Sequence, residues 1–433
     1  MRVIQELEPP LREAIMVFYL VLRGLDTVED DMGLGEERKR ALLRGFHEQL
    51  GERGWRLTEC MLRTRDRALL ESFDAVIEEF QALPPAAQDI IRSVTRAMGE
   101  GMSGFVHTRE RGQRVGGAGG IVSVDAYNEY CYYVAGLVGE GLTQLFVGMG
   151  VEKEREVLEK EAVTMGLFLQ KINIIRDCRE DFDEERVFWP REIWGKYVRE
   201  YGELLEGRKE EALQCLSEVV ADALAHVPGC LHYLCSLENP SVFNFCAIPQ
   251  AMAIATLALV FRNPEVFERN VKIRKGEAYL IILRATSRRN LCKIFLKYVR
   301  AIHCKNVPSD PNFLKISLAC AKIEQWIESV FPSRKGAKRG CALDPGGQGA
   351  ASGGTVAVFT RETCHMFVAA ALFLGSVALF MVYIAYLFGA RWNLAQGKYV
   401  ASVSWGSLGL VYNLVGSLKS NFSGIVPFGK TEL

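Results

Sequence analysis

The sequence predicts an all-α protein that carries a C-terminal transmembrane helix. Three observations lead there: apolar residues recur at helical spacing over long stretches, β-branched alternation is almost absent, and residues 366–390 hold no charge. The chain has 433 residues, 49% hydrophobic and 24% charged, ample for a large core. Its 52 basic residues balance 52 acidic ones, so no broad positive field attracts nucleic acid, and no nucleic-acid partner is expected. The 12 cysteines form no CxxC pair and the 6 histidines no HExxH cluster, which indicates neither a zinc site nor a disulfide framework. Several thiols fall in apolar runs such as FCAI (residues 245–248), as small hydrophobes do in a reducing compartment.

The N-terminal segment MRVIQELEPPLR is charged throughout and has no apolar run of signal-peptide type. The first informative helix is expected over residues 10–31. There Leu11, Ile15, Phe18, Leu22 and Leu25 form a core stripe, while Tyr19, Arg23, Asp26 and Asp30 step by four, three and four along an adjacent one. Residues 109–120 (RERGQRVGGAGG) read as a mobile surface loop. A second helix is expected over residues 164–181, where Gln170, Asn173, Asp177 and Asp181 step by three, four and four. Each helix therefore ends in a DxxxD pair.

Carboxylates one helical turn apart stand ~5–6 Å apart at Cβ, close enough to share one hard cation or a bridged pair. A single such pair is ordinary on an exposed helical face. Two pairs, each closing an apolar helix and each preceded by aligned polar residues, point instead to cations held around a diphosphate leaving group.

Further along, Phe243 and Phe245 precede Pro249, which is expected to kink its helix; on sequence alone both rings are core residues. VKIRKGEA (residues 271–278) is a charge run that a solvated loop would equally explain. Residues 332–365 turn basic and then Gly-rich, the composition of a flexible tether. The 25 uncharged residues 366–390 exceed the ~20 needed to cross a bilayer as a helix. Arg334, Lys335, Lys338, Arg339 and Arg361 before the span outnumber Arg391 and Lys398 after it, which places the N-terminal bulk in the cytoplasm. The expected organisation is a catalytic domain over 1–331, a tether over 332–365, a transmembrane helix over 366–390 and a tail over 391–433. Within that tail, residues 399–418 are a candidate membrane-associated segment.

FYLVLRGLDTVEDD (residues 18–31), YCYYVAGLVG (130–139), MGLFLQKINIIRDCRED (165–181), FWPREIW (188–194) and SVFNFCAIPQAMAIATL (241–257) together resemble the squalene synthase family, in the family's order. The resemblance implies an isoprenoid-synthase helical bundle and a two-step reaction. Two farnesyl diphosphates condense head-to-head to presqualene diphosphate, which NADPH then reduces to squalene. It implies Mg2+ at Asp26, Asp30, Asp177 and Asp181, and substrate contacts from Tyr19, Arg23, Gln170, Asn173 and Arg176. It assigns Tyr130 to the first half-reaction, Phe243 and Phe245 to the pocket of the second, and Lys272, Arg274 and Lys275 to NADPH. A monomer at the endoplasmic reticulum membrane is expected.

Several positions depart from the family pattern. Cys178 and then Arg179 follow Asp177 where an aromatic residue is usual, Tyr132 replaces a histidine, and Glu140 replaces an apolar residue. Glu184 and Glu185 precede Arg186 where a Gly-Arg pair is common, and the 109–120 loop looks inserted. A Ser-x-Ser-Phe diphosphate-binding stretch precedes the position of Met1 in the family; the resemblance thus predicts either a truncated sequence or a missing phosphate contact. The alternatives are a presqualene diphosphate synthase or related triterpene synthase, and a non-catalytic membrane-bound scaffold, which Mg2+-dependent diphosphate release would separate from any of the enzymes.

Overall fold

The computed structural model describes residues 2–31, 33–59, 65–110, 114–115, 118–332, 390–393 and 398–401. The chain divides into two units, Met1–Ala337 and Lys338–Leu433. The first is helical. A 3-10 turn (Arg2–Glu6) leads into α1 (Leu11–Asp30), α2 (Glu36–Gln49), α3 (Arg65–Glu71), α4 (Phe73–Ala82), α5 (Pro85–Glu110) and α6 (Val124–Cys131). A π-helical turn (Tyr132–Gly136) joins α6 to α7 (Leu137–Gly148); α8 (Glu156–Arg176), α9 (Cys178–Asp183), α10 (Arg191–Trp194), α11 (Gly202–Leu205) and α12 (Lys209–Leu224) follow. The unit closes with α13 (Val227–Ser236), α14 (Pro240–Val260), α15 (Lys275–Arg284), α16 (Arg288–Lys305) and α17 (Phe313–Val330).

The predicted stripe of α1 is realised: Leu11, Ile15, Phe18, Leu22 and Leu25 are all buried, and Tyr19, Arg23, Asp26 and Asp30 lie on the more open side. The helix end is fixed from α2, where the buried Lys39 ammonium donates to the Glu29 carbonyl at 2.8 Å. A cation suits the carbonyl end of a helix, so this contact both caps α1 and holds Asp30 in place.

Helix α8 is packed by α7, α12, α13 and α14. Its fit against α7 and the π-helical turn before it depends on two glycines. A Cβ on Gly139 would stand 2.1 Å from the Ala162 carbonyl oxygen, and one on Gly166 would stand 2.0 Å from that of Ala135. Backbone thus meets backbone in both directions, which fixes the distance between the Tyr130 segment and the helix of the second acidic pair.

Helix α14 is apolar on every face and buried on most of them. Alone among the described helices it has the length and hydropathy of a membrane span, yet it is a core helix of this unit. Pro240 at its first turn and the Asn239 side chain, which accepts from Ser241 N and Val242 N, start it in the expected manner. It continues through Pro249, whose missing N–H leaves the Phe245 carbonyl without its helical donor.

Three expectations need correction. The second acidic helix starts at Glu156, not near Thr164, and it breaks at Asp177 (φ −95°, ψ 8°) before resuming as α9. Helix α5 runs on to Glu110 into the supposed loop, followed by an antiparallel ladder of β1 (Arg114–Val115) with β2 (Ala118–Gly119). In the second unit, β3 (Ala390–Asn393) pairs antiparallel with β4 (Lys398–Ala401). Ala390 is therefore a strand residue, not the last of a helix, and residues 399–401 of the candidate 399–418 segment belong to β4. The span itself, through residue 389, and residues 402–418 lie outside the described residues.

Candidate active site

The two acidic pairs come from helices far apart in sequence, and one arginine joins them. Arg186 Nη1 lies 2.7 Å from Asp30 Oδ1, and its Nη2 lies 3.0 Å from Asp181 Oδ1 and 2.6 Å from Glu184 Oε2. One guanidinium thus spans from the first pair to the second, which places the ends of α1 and α9 face to face. The Asp181 backbone N–H bonds the Asp177 carbonyl at 2.9 Å, so the helical spacing of the second pair survives the break between α8 and α9.

Burial pushes the Asp181 carboxyl up to about 7, and the charges of Asp177, Glu184 and Asp30 push the same way against the opposing pull of Arg186. Negative charge is concentrated there beyond what one arginine neutralises. Among the described residues no three potential ligands converge into a ready-made metal cage. The donor set is oxygen only and arranged in pairs, which fits Mg2+, a cation that keeps several waters and completes its octahedron with substrate phosphate. The Arg186 Nε is buried with no partner in the protein, a further polar atom facing this region that an anion can satisfy.

Arg176 grips Asp177 through two bonds, Nε to Oδ1 at 2.7 Å and Nη2 to Oδ2 at 2.6 Å. Asn270 Nδ2 donates to Asp177 Oδ1 at 2.6 Å and to Glu180 Oε2 at 2.9 Å. This asparagine immediately precedes VKIRKG, so it ties that segment to the second acidic pair. Lys272, Arg274 and Lys275 are exposed and make no ion pair among the described residues; Arg274 is the N-cap of α15 and Lys275 its first residue. Three unengaged cations suit the phosphates of a dinucleotide. Gln170 is half-buried and Asn173 exposed on α8, two turns and one turn before Asp177 respectively.

Tyr130 is the last residue but one of α6, just before the π-helical turn, a distortion frequent at functional sites. Its ring stacks on Phe188 (centroids 5.1 Å apart, 23° between planes) and meets Phe105 edge-on at 5.3 Å. The Arg186 guanidinium lies 5.6 Å from the Phe188 centroid, which puts Tyr130 one ring away from the arginine between the acidic pairs. Phe243 and Phe245 sit two apart on α14, so their side chains leave nearly opposite sides of the helix, about 160° apart. Phe243 is buried, whereas Phe245 is half-buried and meets Phe146 of α7 edge-on at 6.2 Å.

The departures from the family pattern find local explanations. Cys178 is buried with its thiol toward the Val266 carbonyl. Arg179 pairs with Asp183 at 2.8 Å. Tyr132 and Glu140 meet each other: the Tyr132 hydroxyl donates to Glu140 Oε2 at 3.4 Å, and burial raises both groups above their ordinary values. Glu185 adopts φ 58°, the left-handed region where the family's usual glycine rests without strain.

Arg186, Asn270 and Phe188 were not assigned by sequence reasoning. Arg186 and Phe188 sit within or beside quoted motifs, but their partners lie up to 156 residues away, beyond any spacing rule.

A family model described as squalene/phytoene synthase matches residues 1–277. The squalene synthase of Schizosaccharomyces pombe is 50% identical over 335 residues, 77% of this chain and 72% of that protein. The probable squalene synthase of Neurospora crassa is 45% identical over 410 residues, covering 93% and 82% respectively. Among solved structures, the complex of TcSQS with the ligand BPH1237 superposes with a TM-score of 0.71 at 40% identity, covering 76% of this chain and 94% of that one.

Proposed function

The chain belongs to the squalene/phytoene synthase family, and from that premise we propose how its residues divide the work of a squalene synthase acting on two farnesyl diphosphates. The observation that carries the reading is Arg186, whose one guanidinium reaches Asp30 and Asp181 and so sets two DxxxD pairs opposite each other. Each pair holds the diphosphate of one substrate. When bound, Mg2+ neutralises the developing charge on the leaving diphosphate.

Around that centre the chain supplies donors and walls. Arg23 and Tyr19, on the Asp26 stripe, offer a guanidinium and a hydroxyl to the first diphosphate, while Gln170, Asn173 and Arg176 serve the second. Arg186 releases its carboxylates to cations and turns its donors to phosphate oxygen. Tyr130, sandwiched between Phe188 and Phe105, offers its phenol and π face to the reacting allylic carbons, where it stabilises positive charge without trapping it. Phe245 and Phe243 contribute apolar surface from α14. Lys272, Arg274 and Lys275 bind the phosphates of NADPH, which supplies the reducing equivalents of the second step. The pocket must exclude water, since an intercepted cation leaves as an alcohol.

Residues 366–390 support a tether to the endoplasmic reticulum membrane with the catalytic unit as a monomer on the cytoplasmic side, where a hydrocarbon product passes directly into lipid. The test is release of diphosphate from farnesyl diphosphate by the full chain with Mg2+. Asp30→Asn and Asp181→Asn are each expected to lower it by at least about 100-fold, on the scale of a lost charge-stabilising group in a transition state. Near-wild-type release from both variants would sink the assignment.

A further inference from the structure

We propose that α15 and the residues flanking it form a docking face for an anionic lipid bilayer, separate from the C-terminal span; this rests on the proposed membrane tether. Helix α15 turns its large apolar residues outward. Tyr279 is 63% exposed, Leu283 54%, Leu280 43% and Ile282 37%, while Ile281 alone of its residues is buried. A helix on a water-soluble surface ordinarily faces the other way.

The charges around it have one sign. Arg284, Arg288 and Arg289 are exposed, and so are Lys272, Arg274 and Lys275, whose charge NADPH phosphates engage only when the cofactor is bound, in a chain whose overall charge is zero. Glu277 is the one carboxylate in residues 272–289, and it is engaged by the Tyr298 hydroxyl at 2.7 Å and by Lys297. Outward aliphatic residues and a tyrosine between basic flanks make the pattern of a helix lying in a lipid interface. Anionic headgroups complement such flanks, each engaged cation favouring the bound state by about fivefold.

The position of residue 331 agrees. The Arg289 guanidinium lies 5.6 Å from the Phe331 ring centroid, so the last described residues of this unit, which precede the sequence that carries residues 366–390, lie beside this face. A second copy of the chain does not answer to six cations of one sign, which would repel their own image. A bilayer does. The face also continues directly from VKIRKG, which Asn270 ties to Asp177, so docking sets the reaction site close to the lipid.

The test uses the full chain in nanodiscs of phosphatidylcholine alone or mixed with phosphatidylserine, with amide hydrogen exchange read over residues 275–284. The double variant Leu280→Ser, Leu283→Ser serves as control, with its melting temperature checked against wild type. At least about tenfold slower exchange in the phosphatidylserine discs, lost in the double variant, is expected. If the chain co-elutes with both discs but α15 exchanges equally in each and regardless of the variant, docking is refuted while the tether stands. Failure to co-elute with discs refutes the tether reading itself. Protection that grows with protein concentration in the absence of lipid would assign the face to a second copy and overturn the proposal.

Discussion

Replacing Asp181 by asparagine is expected to make the metal-free protein more stable while it abolishes catalysis. The carboxyl is 9% exposed, and burial together with Asp177, Glu184 and Asp30 lifts it from 3.8 to about 7 despite Arg186. Folding therefore favours its protonated form. That contribution is fully present below the unfolded value near 3.8 and is lost as pH rises through about 7. At 1.36 kcal/mol per pH unit the ionised carboxylate costs the fold roughly 4 kcal/mol at pH 8. Asparagine keeps the shape and removes the charge, but it weakens the hydrogen bond from Arg186, worth about 1 kcal/mol. The net expectation is a gain of about 3 kcal/mol at pH 8, shrinking as pH falls below 7 and gone near pH 4. Urea unfolding of wild type and Asp181→Asn, metal-free, at pH 8 and pH 5 reads this directly. Adding Mg2+ with inorganic diphosphate at pH 8 should stabilise wild type and leave the variant almost unmoved. A variant less stable than wild type at pH 8, or a gain independent of pH, would refute the picture of a carboxylate held in a crowded negative site for a cation.

Other substitutions probe other parts of the account. Glu185→Gly should stabilise the protein by roughly 0.5–1 kcal/mol, the relief of a left-handed backbone less the added freedom of the unfolded chain, measurable as a rise in urea midpoint. Gly166→Ala forces a Cβ to within 2.0 Å of the Ala135 carbonyl and should cost about 2–4 kcal/mol, with loss of activity as the Tyr130 segment is pushed off α8. Asn270→Ala cuts the link between Asp177 and VKIRKG; the ratio of presqualene diphosphate to squalene should rise about tenfold at fixed NADPH, and an unchanged ratio would contradict that link.

The part of the site that was legible in the sequence is the part that helical periodicity writes. Both the core stripe of α1 and the polar row Tyr19–Asp30 follow from 3.6 residues per turn, and both appear where expected. Periodicity misleads at Asp177, because a break of one residue leaves the i,i+4 spacing intact while it separates α8 from α9. The contact of Arg186 with Asp30 depends on the packing of the whole bundle, and no local pattern encodes it. The same holds for Asn270, a lone amide whose role exists only through Asp177. Tyr132 and Glu140 were separately visible as departures; that they form a pair is a fact of one turn of π-helix between α6 and α7.

The most direct test of the central claim is a product analysis of the full chain with farnesyl diphosphate and Mg2+, with and without NADPH, following squalene, presqualene diphosphate and released diphosphate together. The account predicts squalene only with NADPH, presqualene diphosphate without it, and neither from Asp30→Asn or Asp181→Asn. Diphosphate release that is absent in wild type under both conditions, from a chain shown to be folded, would contradict it.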